Sequence, residues 1–175
     1  FEHDQGAPKF YQLLDRAKGE VRDALADNPH ALSAPPDTDV NEIFDSIPYE
    51  MGPWILRMVE AKLGTPKFDA LLKDWYQSHR EQSVSTEDFV AFTKAKTGTD
   101  LSTFFKEWNT ITAVPKLDGS VALSGEKATV SLTAAAKVPS GIEVPLLLEG
   151  TAGQRKTVMV KVGEPVSIDA GFKVK

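Results

Sequence analysis

The sequence predicts an α+β protein whose first part is helical and whose last part is built of strands. Apolar residues recur at helical spacing through the first part of the chain. Near Val114 and Pro115 this pattern stops, and short strand-like runs separated by turn residues continue to Lys175. We therefore expect an all-α helical subdomain over residues 1–113 and a small antiparallel β-sandwich over residues 114–175.

The helical part begins with two long amphipathic segments. Periodicity predicts one helix over residues 8–27 and a second over about 47–63, with a proline-containing loop over 28–44 between them. The second segment is apolar around most of its circumference, which is typical of a buried helix. Gly64 is expected to end it, and Thr65, followed by a proline, opens a third helix.

Two shorter helices complete the helical part. Ser85 and Asp88 resemble a capping box, with aspartate in place of glutamate or glutamine. The run 98–100 is expected to start the last helix. The aromatic residues expected in the core of these helices are Phe68, Trp75, Phe104, Phe105 and Trp108. The strands predicted after them cover residues 121–123, 128–133, 144–148, 157–162 and 166–172.

Composition and charge exclude several classes of protein. The net charge is −5 and the isoelectric point about 5.2, which argues against a nucleic-acid partner. No apolar run approaches the ~20 residues of a membrane span, so we expect a soluble chain and favour the cytoplasm as its location. The absence of cysteine excludes disulfides and thiolate chemistry.

The chain opens at Phe1 without a capping sequence, as if a helix had begun before it. We therefore expect a processed chain or a fragment. The three histidines, His3, His30 and His79, are far apart and form no His-Glu-x-x-His pattern. They are expected to be solvated or to lie at helix ends, so we predict no metal ligands in this chain.

The run 44–52 carries the most specific motif. It places an aromatic-Asp pair before Tyr49-Glu50-Met51-Gly52, and an apolar helix ending in Leu-Gly follows. Residues 98–108 then read Gly-x-Asp-Leu-x-x-Phe-Phe-x-x-Trp. In order and spacing these motifs resemble the aminopeptidase N-like zinc metallopeptidases, the gluzincin aminopeptidases. Met51 stands where that family usually has lysine.

The resemblance implies that residues 1–113 form the C-terminal half of a thermolysin-like catalytic domain, followed by the family's β-sandwich. It implies zinc as cofactor, peptides as substrates and Tyr49 as the catalytic residue that stabilises the transition state. The His-Glu-x-x-His helix that binds zinc would lie in an N-terminal part of the same protein, so this chain alone is expected to be inactive. Substrate-binding residues stay unassigned.

A tyrosine suits that role because hydrolysis of a peptide bond builds negative charge on the carbonyl oxygen. Zinc stabilises such an oxygen as a Lewis acid. A phenol keeps its proton at neutral pH and donates a hydrogen bond to the same oxygen, which phenylalanine cannot do. Glu50 is interpreted as a first-turn acid favoured by the helix dipole. Asp45 is either a cap or a residue that shapes the site, whereas Met51 and Trp54 either pack in the core or border the substrate cleft.

Two other functions remain open at this point. The chain could be a non-catalytic interaction module that keeps the family fold without the metal site. It could also belong to an epoxide hydrolase of the same superfamily, because the residues at the substrate end are absent from this sequence.

Overall fold

The chain divides into two compact units, Phe1–Val114 and Pro115–Lys175. The computed structural model describes residues 6–33, 39, 41, 44–135 and 138–175. The predicted helix end at Phe1 and the central part of the predicted loop, including Pro35, therefore lie outside the described residues. The α+β class is confirmed, since the first unit contains helices and the second antiparallel strands.

Five α-helices and one π-helical turn make up the first unit as described. They are α1 Ala7–Asp27, the π turn Ile47–Met51, α2 Gly52–Leu63, α3 Thr65–Ser78, α4 Thr86–Thr97 and α5 Ser102–Trp108. Within the described ranges, none of these helices combines the length and apolar character that crossing a membrane would need.

Glycines in the left-handed or positive-φ region separate the helices. Gly64 (φ 81°) lies between α2 and α3, as the sequence predicts, and its N–H donates to the Glu60 carbonyl at 2.7 Å. Gly98 (φ 74°) ends α4, so the prediction that the run 98–100 starts the last helix is wrong. Instead α5 begins at Ser102, whose backbone N–H donates to Asp100 Oδ1 at 2.9 Å.

The helix predicted over about 47–63 is present, but it begins as the π turn and becomes α-helical only at Gly52, which the sequence did not predict. Pro53 offers a physical reason. It has no amide hydrogen, and in an α-helix its ring would crowd the carbonyl of Tyr49, four residues earlier. A wider turn at this point relieves that clash and leaves the rest of α2 regular.

The core of the first unit combines residues from α1, the π turn, α2, α3 and α5. The buried members of this cluster are Val21, Leu25, Ile47, Met51, Ile55, Val59, Phe68, Leu101 and Phe105. Phe104 and Trp108 pack against it half-buried. Leu56 of α2 points outward instead and is 37% exposed, as does Tyr76 of α3, which is 66% exposed. The α2 helix, which was expected to be buried around most of its circumference, is therefore exposed at Leu56.

The second unit contains five strands in two small sheets. They are β1 Leu117–Ser124, β2 Lys127–Ala134, β3 Glu143–Glu149, β4 Arg155–Lys161 and β5 Val166–Asp169. The first sheet has the order β1-β2-β5 and the second pairs β3 with β4, all antiparallel. All five strands fall where the sequence predicts them, although β5 ends at Asp169 and not at 172.

Residues from both sheets form a second apolar cluster. Its buried members are Ala128, Val130, Leu132, Leu148, Val160, Ile168, Ala170 and Val174. Alternation along β2, where even-numbered residues from 128 to 132 are buried, matches the period of a strand with one covered face. The shared cluster is compatible with the predicted sandwich, which stays a prediction.

Candidate functional site around Tyr49

Tyr49 lies in the middle of the π turn, with its side chain turned toward solvent. The residue is 63% exposed, whereas Ile47 on one side is fully buried and Met51 on the other is 4% exposed. The turn is thus held in the core at both ends while its central phenol remains accessible. π-helical turns occur frequently at functional sites, because they displace a side chain from the regular helical path.

Phe44 contacts Tyr49 from the segment just before the turn. The two ring centroids are 6.4 Å apart with an interplanar angle of 43°, within the range of favourable aromatic contacts. Phe44 is itself 63% exposed. The pair forms an exposed aromatic surface beside a well-packed core.

Asp45 fixes the start of the turn by accepting two hydrogen bonds. Its Oδ1 accepts the N–H of Ile47 at 2.8 Å, and its Oδ2 lies 2.8 Å from Nε2 of His30. The other ring nitrogen of His30, Nδ1, lies 3.0 Å from the carbonyl oxygen of Ala31. We call this arrangement of His30, Asp45 and the Ile47 N–H the His30–Asp45 clamp. Asp45 therefore caps the turn, one of the two roles left open by the sequence, whereas its role in shaping the site stays a prediction.

The clamp shifts the pKa of both partners. The bond to the Ala31 carbonyl, followed by the bond to Asp45, raises the pKa of His30 above 6.5, although partial burial opposes the change. Burial pushes the pKa of Asp45 upward, but the bonds from His30 and Ile47 outweigh burial and hold that pKa below 3.8. Both shifts favour the charged forms, His30 as imidazolium and Asp45 as carboxylate.

Glu50, the residue after Tyr49, interacts with a second carboxyl group, that of Glu20 on α1. Burial, then hydrogen bonding to Glu20 and the charge of Glu20, raise the pKa of Glu50 above 4.5, while Arg16 opposes this. Arg16 Nε contacts Glu20 Oε1 at 3.2 Å one turn earlier on α1. Glu50 is in the first turn, as predicted. The nearby acid of α1 was not anticipated, since no sequence spacing relates residues 20 and 50.

Met51 packs in the core, whereas Trp54 is half-buried and its indole nitrogen is buried without a hydrogen-bond partner among the described residues. A groove of about 330 Å³ begins near Gly52 and runs between Leu56 and Phe105, lined mostly by apolar residues. Tyr49 does not line this groove. The phenol and the groove are therefore separate features of the unit.

The histidines do not form a metal site among the described residues. His79 caps the end of α3, where its Nδ1 lies 3.0 Å from the Trp75 carbonyl and its ring stacks on Trp75. His3 lies outside the described ranges. Over those ranges no group of three or more His, Cys, Asp or Glu residues is placed to hold a metal ion. The described residues therefore do not fit a zinc centre by themselves.

His30 is the residue of this site that the sequence did not single out. It was expected to be solvated or at a helix end, but only 24% of its side chain is exposed and it pairs with a carboxylate fifteen residues away. The one sequence signal was its position inside the proline-containing loop that leads to the Tyr49 motif. No sequence motif relates a histidine at such a position to a partner carboxylate, so the pairing with Asp45 was not predicted.

Comparison with known proteins extends these observations. Aminopeptidase M1-B of Oryza sativa subsp. japonica is 29% identical over 114 residues, which are 62% of this chain and 13% of that protein. Probable aminopeptidase 2 of Sulfurisphaera tokodaii is 28% identical over 141 residues, 78% of this chain and 18% of that protein. The chain thus spans less than a fifth of the length of these relatives.

A solved structure shares the fold. The crystal structure of Legionella pneumophila aminopeptidase A in complex with aspartic acid superimposes with a TM-score of 0.61 over 75% of this chain and 16% of that one, at 20% sequence identity. Residues 3–108 match the peptidase family M1 domain, a match that covers more than half of the chain. The resemblance seen in the motifs is confirmed, and the chain belongs to peptidase family M1.

Proposed function

We propose that this chain is part of a zinc-dependent aminopeptidase that removes N-terminal residues from peptides, and that Tyr49 supplies the hydrogen bond that stabilises the transition state. The observation that carries the proposal is the position of Tyr49, 63% exposed between two core residues of a π turn inside the segment that matches family M1. Zinc would act as a Lewis acid in the complete enzyme.

The surroundings of Tyr49 suit a hydrogen-bond donor in a rigid frame. Ile47 and Met51 anchor the backbone on either side, and the His30–Asp45 clamp holds the turn at its start. Rigid placement matters because a donor stabilises a developing charge most when it needs no reorganisation during the reaction. Phe44 adds an aromatic neighbour that contacts the ring of Tyr49.

The zinc ligands and the general base would come from an N-terminal part of the same protein. The short span of the chain relative to its M1 relatives supports this, as does the absence of a ligand cluster among the described residues. The chain alone should therefore bind no stoichiometric zinc and should hydrolyse no aminoacyl-arylamide. Metal analysis of the pure 175-residue chain tests this, and one tightly held zinc per chain would contradict it.

The N-terminal part should also cover apolar surface of this chain. Phe44 and Tyr49 are each 63% exposed and Leu56 is 37% exposed. We expect the chain to co-purify with an N-terminal fragment when the two are co-expressed, or otherwise to self-associate. A monodisperse monomer that binds neither the fragment nor an apolar dye would contradict this prediction.

The decisive experiment replaces Tyr49 by phenylalanine in the complete enzyme. Because the hydroxyl would contact an oxygen that becomes charged only in the transition state, kcat should fall about 100- to 1000-fold while KM changes little. Tyr11→Phe and Tyr76→Phe are matched controls, since these tyrosines are 57% and 66% exposed on other helices. Near-normal kcat for Tyr49→Phe with zinc retained would show that Tyr49 is a packing residue, and its assignment as the catalytic residue would be wrong.

A further inference from the structure

His30 lies between two hydrogen-bond acceptors. The Ala31 carbonyl oxygen is 3.0 Å from Nδ1, and Asp45 Oδ2 is 2.8 Å from Nε2. A neutral imidazole carries one N–H and one lone pair, so either tautomer would point a lone pair at an acceptor oxygen. Only the imidazolium donates at both nitrogens. The two acceptor oxygens therefore favour the imidazolium form of His30, a conclusion that rests on the hydrogen-bond partners and not on a pKa.

Asp45 connects His30 to the π turn. The carboxylate uses its second oxygen to accept the Ile47 N–H at 2.8 Å, and Ile47 is the fully buried first residue of the π turn. Tyr49 follows two residues later. Phe44, which precedes Asp45, contacts the Tyr49 ring directly. A displacement of Asp45 would therefore reach Tyr49 both through the backbone and through the Phe44 ring.

We propose that His30 is a positioning residue for Tyr49, which holds Asp45 in place and thereby fixes the turn that presents the phenol. The inference rests on the proposed catalytic role of Tyr49. His30 itself touches no reacting atom. Its contribution is to keep the phenol within the small displacement that a hydrogen bond to a transition state tolerates.

The charges around the clamp make it dependent on pH in a defined direction. Among the described residues, Asp45 is the charged group that acts on His30, and His30 is the charged group that acts on Asp45. The pKa of Asp45 lies below 3.8 and that of His30 above 6.5, so both partners are charged between these two values, and the imidazolium is lost as the pH rises through the folded pKa of His30. Activity that depends on the clamp should decline over the same range.

The first test uses NMR on the full 175-residue chain. Ring titrations should give His30 a pKa above 6.5, its signals being those that disappear in His30→Gln. Asp45→Asn should bring the pKa of His30 back toward 6.5. Asparagine keeps an oxygen for the Ile47 N–H, so this variant removes the charge without removing the cap. A His30 pKa that does not respond to Asp45→Asn would overturn the proposal.

The second test follows the position of Tyr49 in the same chain labelled with 3-fluorotyrosine. At a pH where both the phenol and His30 are protonated, the Tyr49 fluorine signal should move in His30→Gln and in Asp45→Asn. The Tyr11 signal, from an exposed position on α1, should stay in place, and His79→Gln should move neither signal. An unchanged Tyr49 signal in both clamp variants would overturn the proposal whatever the catalytic role of Tyr49.

The third test measures kinetics of the complete enzyme. His30→Gln should lower kcat by up to about 100-fold with little change in KM, whereas His79→Gln should leave kcat within about twofold. In the Tyr49→Phe background, His30→Gln should cost no more than about twofold further, since the two residues act through one hydroxyl. An equal loss in both backgrounds would overturn the positioning role.

The tests separate this inference from the proposed function. If Tyr49→Phe leaves kcat unchanged, the catalytic role of Tyr49 fails, and the fluorine signal alone then decides whether His30 positions the residue. If Tyr49→Phe abolishes kcat but His30→Gln does not reduce it, the proposed function stands and the positioning role of His30 fails.

Discussion

Two helical segments of the first unit begin in different ways. At α4, Ser85 Oγ accepts the Asp88 N–H at 3.1 Å while Asp88 Oδ2 accepts the Ser85 N–H at 2.8 Å, a reciprocal cap within four residues. At the π turn, Asp45 caps Ile47, but Asp45 is itself held by His30 from fifteen residues away. The first start is local and exposed, whereas the second is long-range and partly buried.

The difference shows what each kind of start provides. A local cap satisfies the free N–H groups of a helix and leaves its side chains to their own packing. A long-range clamp also ties the helix start to another part of the fold, so it determines where a side chain such as that of Tyr49 is presented. We therefore expect disruption of the cap to affect stability alone, and disruption of the clamp to affect stability together with the presentation of Tyr49.

The largest effect on stability should come from the buried anchor of the π turn. Ile47 is fully buried, so Ile47→Ala should lower the free energy of unfolding of the chain by about 2–5 kcal/mol, and Ile47→Val by about 0.5–1.5 kcal/mol. Val121→Ala is the control, because Val121 is 57% exposed and should change stability by less than about 0.5 kcal/mol. Denaturant unfolding measures all three. Equal costs at the two positions would mean that the turn is not anchored in the core.

The same contrast explains how much of this molecule could be predicted from its sequence. The capping box of Ser85 and Asp88, the helix end at Gly64 and the five strands depend on patterns within a few residues, and all were predicted. Gly98 was misassigned because the same residue serves as the end of one helix and precedes the start of the next. Local chemistry alone did not decide between these roles.

The site was predicted only in part. The motif identified Tyr49 as the candidate and suggested that Asp45 acts as a cap. The π turn was missed, because a wider turn depends on the exact position of Pro53 relative to the carbonyl of Tyr49. His30 was missed, because its partner becomes adjacent only when the chain folds back between α1 and the turn. Pairings across that distance leave no periodic signal.

The local cap should have a moderate and purely structural effect. Ser85→Ala removes the acceptor for the Asp88 N–H, so the free energy of unfolding should fall by about 1 kcal/mol. Ser83→Ala, at an exposed position before the helix, is the matched control and should be near neutral. In the complete enzyme kcat should stay normal for both variants. A loss of kcat in Ser85→Ala would contradict the expectation that the cap affects stability alone whereas the clamp also affects the presentation of Tyr49.

The stability contributed by the His30–Asp45 clamp and that contributed by the Ser85–Asp88 cap should depend on pH in opposite directions. The pKa of His30 is raised, so the stabilisation lost in His30→Gln should be largest below about 6.5 and should vanish as the pH rises through the folded value. The backbone and side-chain bonds of Ser85 lower the pKa of Asp88, so its stabilisation is present above 3.8 and is lost as the pH falls further. Thermal melts of the chain, His30→Gln and Asp88→Asn across pH measure both. Parallel profiles for the two variants would contradict this prediction.

The smallest expected effect on stability tests whether burial or sequence separation determines how much an ion pair contributes. Lys96 Nζ contacts Asp74 Oδ2 at 2.8 Å across twenty-two residues and joins α4 to α3, but both side chains are nearly half exposed. Solvent and salt screen such a pair, and ordering two flexible side chains costs entropy. Lys96→Met, which keeps an apolar stem near Phe92, should therefore change the free energy of unfolding by less than about 1 kcal/mol. Any difference should disappear in high salt.

A larger, salt-insensitive loss of stability in Lys96→Met would show that an ion pair between distant segments is enough to stabilise them. The expected result assigns the strength of the His30–Asp45 clamp to its partial burial and to its two-sided hydrogen bonding.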